Sequence, residues 1–425
     1  MSTEVKKNSP ISQDSDILKP TNEIELSEII RNHYKKNLPT TVVGSNSKNF
    51  IGYKPQTAKT ISLENFNGII EYLPEELYIK VKPGTPISLV EDTLEKKNQE
   101  LAFEVIDLGY IKNGVSNKGT VGGQVSCNLA GSRRFKVGSI RDHILGFRAI
   151  NGKGEIIKSG GTVVKNVTGY DLSKLITGSY GTLVALTEIV LKASPKKESQ
   201  STVIINESKI KKVSELLDKI LSSSNEVSGA VFIPNEPDNE KFTINKRKIF
   251  KFNDLRNDGP FIAFRIEGDK ESIQERYLEL KKELDLKNYD TSYLDSFQSV
   301  PFWKKINNIE LFSYSKNNII KAVIPPSYNS DLMEYLENKY KYYIDWCGSL
   351  FWIEIIDGKN EKIKLLKEKV DMMGGYLTII KKSENFSYDM DLFSKEKVKL
   401  DLSKKIKQSF DPKRILNPGK MYREI

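Results

Sequence analysis

Residues 119–146 read GTVGGQVSCNLAGSRRFKVGSIRDHILG. The run continues as NGKGEIIKSGGTVVKNVTGYDL over 151–172 and TGSYGTLVALTEIVLK over 177–192. Glycines at this density break any long helix and let backbone N–H groups approach a ligand with no Cβ in the way. The pyrophosphate of a nucleotide cofactor needs that access. Between the glycines the segment is apolar and strand-like, so it reads as the core of a cofactor site and not as a linker.

On its N-terminal side, EIELSEIIRNHYKKN (23–37) carries apolar residues at helical spacing, with His33 expected at the surface. VVGSNSK (42–48) follows as a β-branched strand running into a polar turn. Gly44, Ser45, Asn46, Ser47 and Lys48 could form a nest of N–H groups for an anion, although such a turn is also common with no ligand. The GK[ST] order of a Walker loop is absent, and no G-x-G-x-x-G opens a helix in this half of the chain, which argues against a Rossmann site. A Pro-Gly turn at Pro83 and Gly84 precedes a helix with Pro86 at its first turn. Within GTVGGQVSCN, the Gly122–Gly123 pair permits close approach, and Thr120, Ser126 and Asn128 supply polar groups. Asn151–Gly152 marks a hairpin turn, and Asp171 is placed to cap a short helix.

The chain has 425 residues and a mean hydropathy of −0.44, which fits two or three soluble domains. The first residues do not read as a signal peptide and no apolar run is long enough to cross a bilayer, so a cytoplasmic protein is expected. Two cysteines provide neither a disulfide framework nor metal-ligand spacing. The net charge of +10 comes from lysines interleaved with acids, not from a basic patch with aromatics, so nucleic acid is not an expected partner. Arginine is scarce, yet Arg133, Arg134, Arg141 and Arg148 cluster in the glycine-rich segment. They serve either structural ion pairs or recognition of a phosphate or carboxylate, which the guanidinium fork suits.

ASPKKESQ (193–200) is a charged linker, and beyond it strands and helices alternate without glycine loops. The polar Asn235–Asn257 stretch reads as an insertion. Two proline turns in the terminal FDPKRILNPGKMY (410–422) imply a chain pinned against something.

The order VVGSNSK, PGT, GTVGG, RDHILG, GYDL, GSYGTL and FDPKRILNPGKMY resembles the PCMH-type FAD-binding family typified by vanillyl-alcohol oxidase and the D-lactate dehydrogenases. NLAGSRR, KNVTGYDLSKL, YIDWCGSLFW, MMGGYLT and NPGKMY extend the likeness to the FAD-binding E subunits of glycolate oxidase complexes. The resemblance implies an α+β fold: a PCMH-type FAD-binding domain of two α+β subdomains plus a ferredoxin-like α+β cap. The implied boundaries are a flexible tail over 1–20, the FAD-binding domain over 21–195, the cap over 196–395, and a C-terminal segment returning to the flavin over 396–425.

By resemblance, Gly44 to Lys48 lie at the FAD pyrophosphate and Pro83 and Gly84 in the same cleft. Thr120, Gly122, Gly123, Ser126 and Asn128 lie along the ribityl chain and ring, and Ile189 or Val190 near the adenine or the ring. Asn417 and Pro418 close over the flavin, and Arg141 joins the set. Val184 departs from the family, which usually has glycine there. No histidine falls among residues 44–48, so FAD is expected to be non-covalent.

Oxidation of a 2-hydroxy acid needs a base for the hydroxyl proton and a cation for the carboxylate. Catalytic relatives supply histidines from the cap, but here the only two histidines are His33 and His143, both outside it. His143 is expected to be structural. The reading that follows is an FAD-holding subunit of a 2-hydroxy acid oxidising complex. Its implied partners are a paralogous FAD subunit and an iron–sulfur subunit passing electrons to quinone, with peripheral membrane association through the complex. Alternatives are a stand-alone dehydrogenase using cap groups such as Arg265, Tyr376 or Lys381, or an assembly subunit without catalysis.

Overall fold

The computed structural model describes residues 17–162, 170–235, 259–356 and 360–425. Most of the expected tail, residues 165–169 of the KNVTGYDL motif with the two residues before them, and nearly all of the Asn235–Asn257 stretch lie outside the described residues.

The N-terminal half holds two sheets. Ile17–Leu18, Lys59–Ser62 and Thr40–Val43 form a small parallel sheet in that order. The helix Glu23–Lys36 packs beside it. It starts at Asn22, whose side chain accepts from Glu25 N–H, and stops at left-handed Asn37. Leu26 and Ile30 are its buried stripe, joining Ile61, Leu63 and Phe66. His33 is not at the surface: it is 8% exposed, with Nδ1 2.6 Å from Thr40 Oγ1.

The second sheet is antiparallel, in the order Ile69–Leu73, Tyr78–Val81, Val184–Lys192, Ile144–Asn151, Ile156–Gly160. Helices Ile87–Glu95 and Val121–Cys127 cover it, burying Ile87, Val90, Leu94, Val121 and Val125 against Ile79, Val81, Ile189 and Leu191.

The cap is one eight-stranded antiparallel sheet. Its first unit is Ser199–Asn206, helix Ile210–Ser222, Gly229–Ile233, Phe261–Gly268, helix Lys270–Glu283 and Thr291–Leu294, with the four strands ordered 4-1-3-2. The second unit repeats this with Asn318–Val323, helix Asn329–Leu336, Lys341–Asp345, Leu350–Ile355, helix Glu361–Met372 and Tyr376–Lys381, ordered 2-3-1-4. The cap is therefore two split β-α-β units, not one, fused where Phe232 meets Ile344. Each helix buries a stripe, as Val213, Leu216, Leu217 and Ile220 do at i, i+3, i+4 and i+7. The C-terminal helix Lys397–Phe410 leads into a tail that runs back to the small sheet, where Leu416 pairs with Thr40.

Candidate functional site

The turn after Thr40–Val43 and the loop before Val121–Cys127 touch through positions that admit only glycine. A Cβ on Gly44 would lie 2.6 Å from Thr120 Oγ1, and one on Gly119, whose φ is +73°, would lie 2.3 Å from Ser47 Oγ. Real Cβ atoms do not approach so closely, so the absence of side chains lets the two loops share one hollow. The N–H groups of Ser45, Asn46 and Ser47 donate to no acceptor among the described residues. Asn46 is left-handed at φ +55°, the conformation that makes successive amides converge into a nest.

A third loop locks against these. Gly122 N–H donates to Pro83 O, Val121 N–H to Thr85 O, and Ile87 N–H to Gly119 O. Gly84 is held so closely that a Cβ would strike Leu63 O and Phe66 O. The helix Val121–Cys127 begins at Thr120, whose Oγ1 accepts from Gly123 N–H, and ends at left-handed Asn128. Asn128 Oδ1 accepts from Arg141 N–H at 3.4 Å, while Arg141 Nε donates to Lys174 O. Ser126 O accepts from Tyr180 N–H, tying the GSYGTL turn to the same helix.

Asn417 closes the arrangement. Its Oδ1 accepts from Val42 N–H at 2.9 Å, and its Nδ2 donates to Tyr180 O and Gly181 O at 3.2 and 3.1 Å. The tail around it is clamped by Lys407, whose ammonium donates to Thr182 O, Leu416 O and Asp411 Oδ2. Asp411 accepts in turn from the N–H groups of Ile415 and Leu416. Pro418 follows directly, half-buried beside this clasp.

The electrostatics of the hollow favour an anion. Lys48 is buried and donates to Lys118 O at 2.9 Å and Ser47 Oγ at 3.4 Å, with no carboxylate partner among the described residues. Burial lowers its pKa, partly offset by Cys127 and Asp107. Lys420 donates to Asn49 O, and burial brings it down to about 8. Tyr180, edge-on to Phe393 at 5.3 Å, is pushed well up by burial and by Cys127, Tyr376 and Tyr422. A cradle of free amides, two lysines without acid partners and an aromatic wall fits a dinucleotide's phosphates and its ring.

The residues singled out from sequence thus fall into two groups. Gly44 to Lys48, Pro83, Gly84, Thr120, Gly122, Gly123, Ser126, Asn128 and Asn417 converge on one hollow, with Arg141 at its edge. Val190 does not join them. It lines a separate hollow with Lys80, Gly146, Arg148, Gly160 and Gly161 on the five-stranded sheet, and Ile189 beside it is core.

Three of the four clustered arginines are committed to protein partners: Arg133 to Glu267, Glu100 and Glu104, Arg148 to Glu23, and Arg141 to a carbonyl. Arg265 is consumed by Glu104 and Glu267, and Lys381 by Ile111 O and Ser315 O. His143 is buried, with Nε2 2.9 Å from Val137 O and its ring beside Phe103. Sequence reasoning passed over Gly119, Tyr180, Lys407 and Lys420. Gly119 opens the GTVGG motif and was legible there, whereas the lysines gain meaning only from what surrounds them.

Among the described residues no group of three His, Cys, Asp or Glu side chains could hold a metal ion, and no helix is long and apolar enough to cross a membrane.

Residues 16–160 match the FAD binding domain family, and residues 392–421 match the C-terminal domain of FAD linked oxidases. Glycolate oxidase subunit GlcE of Escherichia coli (strain K12) is 30% identical, over 91% of this chain and 93% of that protein. Glycolate oxidase subunit GlcD of Bacillus subtilis (strain 168) is 26% identical, over 96% and 88%. Among solved structures, p-cresol methylhydroxylase superposes with a TM-score of 0.66 at 13% identity, covering 95% of this chain and 88% of that one. This last likeness establishes the shared α+β architecture of PCMH-type FAD oxidases. FAD is the cofactor that these matches give the chain. With identity sustained along almost the whole length of GlcE, the chain belongs to the FAD-linked oxidase family that contains glycolate oxidase subunits, and it is an FAD-dependent oxidoreductase.

Proposed function

We propose that this chain is the FAD-holding subunit of a multi-subunit 2-hydroxy acid oxidase, with glycolate as the type substrate. It is an oxidoreductase acting on CH–OH groups. Bound FAD supplies the two-electron acceptor for the hydride that leaves the carbinol carbon. The protein's part is to hold that group without a covalent bond, to exclude water around it and to orient the substrate. The carrying observation is the three unbonded amides of Ser45, Asn46 and Ser47 facing the glycines of the 119–128 loop beside buried Lys48. Non-covalent attachment is supported by the two imidazoles, each already engaged with a protein partner.

The names of the relatives, two different subunits of glycolate oxidase, support assembly with a paralogous flavoprotein. Two cysteines are too few for this chain to ligate a four-cysteine cluster, so electrons bound for quinone would leave through a separate iron–sulfur subunit. That complex would bring this chain, which has no spanning helix among its described residues, to the cytoplasmic face of a membrane as a peripheral member. The FAD-binding residues we assign are Gly44 to Lys48, Pro83, Gly84, Thr120, Gly122, Gly123, Ser126, Asn128, Arg141 and Asn417. Two-domain boundaries near residues 21, 195 and 395 accompany this reading.

Purification alone and with co-expressed partners tests it. The lone chain should be yellow, release intact FAD on denaturation and turn over glycolate slowly, whereas the assembly should reduce quinone rapidly. A colourless, folded chain that refuses added FAD overturns the proposal, and rapid glycolate turnover by the lone chain overturns the need for partners.

A further inference from the structure

One pair of cations at the junction of the two halves makes no direct ion pair among the described residues. Arg134, within the glycine-rich run, and Lys321, on the cap strand Asn318–Val323, both stand over the Trp346 indole, at 4.6 and 5.0 Å from the ring centroid. Among the described residues neither has a carboxylate within ion-pair distance and neither side chain makes a hydrogen bond; the acid that Arg134 acts on is Asp142, whose carboxyl it helps to hold low. Lys321 is only 7% exposed. Burial, with Arg134 adding to it, brings its ammonium down to about 7.

Acid is not scarce nearby. Arg133, the adjacent residue, is surrounded by Glu100, Glu104 and Glu267. Arg133 is thus ion-paired threefold, whereas the next arginine faces a buried lysine and has no carboxylate in direct contact among the described residues. Desolvated like charges repel, and a bound carboxylate relieves both penalties at once.

The indole between them is held with unusual firmness. Trp346 Nε1 donates to Gly131 O at 2.9 Å, and its N–H donates to Asp345 Oδ1. Trp346 and Cys347 are both left-handed, at φ +50° and +52°, a conformation that large side chains avoid and that tends to persist at functional sites. The box adjoins the flavin hollow. Gly131 closes the loop that begins at Gly119, and Tyr376, whose phenol feels Arg134, lies close enough to Tyr180 to raise it. Tyr376 is 44% exposed.

We propose that Arg134, Lys321 and Trp346 form a carboxylate-binding box in which this chain itself seats the acid group of a small 2-hydroxy acid, with Tyr376 at the entrance. The proposal rests on the oxidase reading above and adds to it that substrate docks on this subunit. Arg134 supplies the planar fork for both carboxylate oxygens, Lys321 a point charge, and the fixed indole an apolar floor that keeps water from competing.

The test is calorimetric titration of the full chain with oxalate, a dicarboxylate that carries no oxidisable C–H, beside neutral glycolamide as control. Wild type should bind oxalate and gain Tm from it, while glycolamide does neither. Arg134→Gln and Lys321→Met should each weaken oxalate at least tenfold with flavin content unchanged. Equal binding by the variants, or no binding and no Tm shift in a flavin-loaded wild type, overturns the box. The Tm shift of wild type decides the matter even where a variant fails to fold. Failure to take up FAD would instead overturn the oxidase reading, and oxalate binding is scored separately from it.

Discussion

Arg133 and Glu267 join the glycine-rich half of the chain to the cap by a two-point ion pair, with Nε–Oε2 at 3.1 Å and Nη2–Oε1 at 2.5 Å. Glu100 and Glu104 flank the same guanidinium, and Arg265, 1% exposed, completes the network through Glu104 at 2.7 Å. Each member is desolvated, and each depends on the others to offset that cost. Although burial alone would raise it, Arg265 and Arg133 bring Glu267 down to about 2.

Glu267→Gln leaves two buried guanidiniums short of charge, so we expect a loss of about 3–5 kcal/mol in stability, read from denaturant unfolding. A depressed carboxylate stabilises the fold above its ordinary pKa of 4.5, and that contribution fades as pH falls toward 2. The variant should therefore lose less stability than wild type on acidification through that window. An unchanged acid profile would show that the network does not couple the two halves.

Asp345 has the opposite sign. Burial pushes it up to about 7, against the pull of the Trp346 N–H and the Ser132 hydroxyl. The folded state then holds a proton that the unfolded chain releases above about 3.8, so this group makes stability fall as pH rises from 4 to 7. The whole effect is on the order of 4 kcal/mol. Asp345→Asn keeps an acceptor for Trp346 and a partner for Ser132. It should flatten the pH dependence of Tm across that interval, and a slope as steep as wild type's would refute the assignment.

Lys48→Met removes a buried cation with no acid partner. Stability should hold or rise slightly, because the desolvation cost of the charge is gone. FAD affinity should fall at least tenfold, measured as flavin fluorescence quenching on reconstitution. Flavin retention equal to wild type would remove Lys48 from the proposed pyrophosphate cradle.

Gly119→Ala puts a Cβ 2.3 Å from Ser47 Oγ at a backbone with φ of +73°. The two loops must part, and we expect about 1–3 kcal/mol of destabilisation together with poor flavin retention. Gly161→Ala is the matched control, since a Cβ there meets nothing within 4 Å. Equal flavin content in both proteins would argue against the shared hollow.

Asn417→Ala deletes the clasp to Val42, Tyr180 and Gly181 and removes the side-chain partner of their half-buried backbone groups. A loss of about 1–3 kcal/mol is expected. Limited proteolysis should then cut near residues 411–420 faster, and bound FAD should slow the cut. Proteolysis that ignores both the mutation and the flavin would count against the tail as part of the site.

Local chemistry made the helix at 23–36, the strand into VVGSNSK, the Pro83–Gly84 turn, the Asp171 cap and the glycine loops readable, because each depends on residues a few positions apart. The same holds for the terminal FDPKRILNPGKMY, whose two turns needed something to press on. What the chain pressed on was not written there. His33 looked like a surface residue on an amphipathic helix, and only the approach of Thr40 buried it.

The amino-acid order by itself thus determined the α+β class, the glycine loops and the want of cap histidines, since period, turn chemistry and residue type are properties of short segments. Tertiary structure alone decided that the cap is a doubled unit, that Arg133 is directly ion-paired while Arg134 is not among the described residues, and that Lys321 meets Arg134 over the indole of Trp346. The reason is physical: whether a charge is paired or exposed depends on which distant strand lies opposite it, and burial multiplies the consequence of that neighbour.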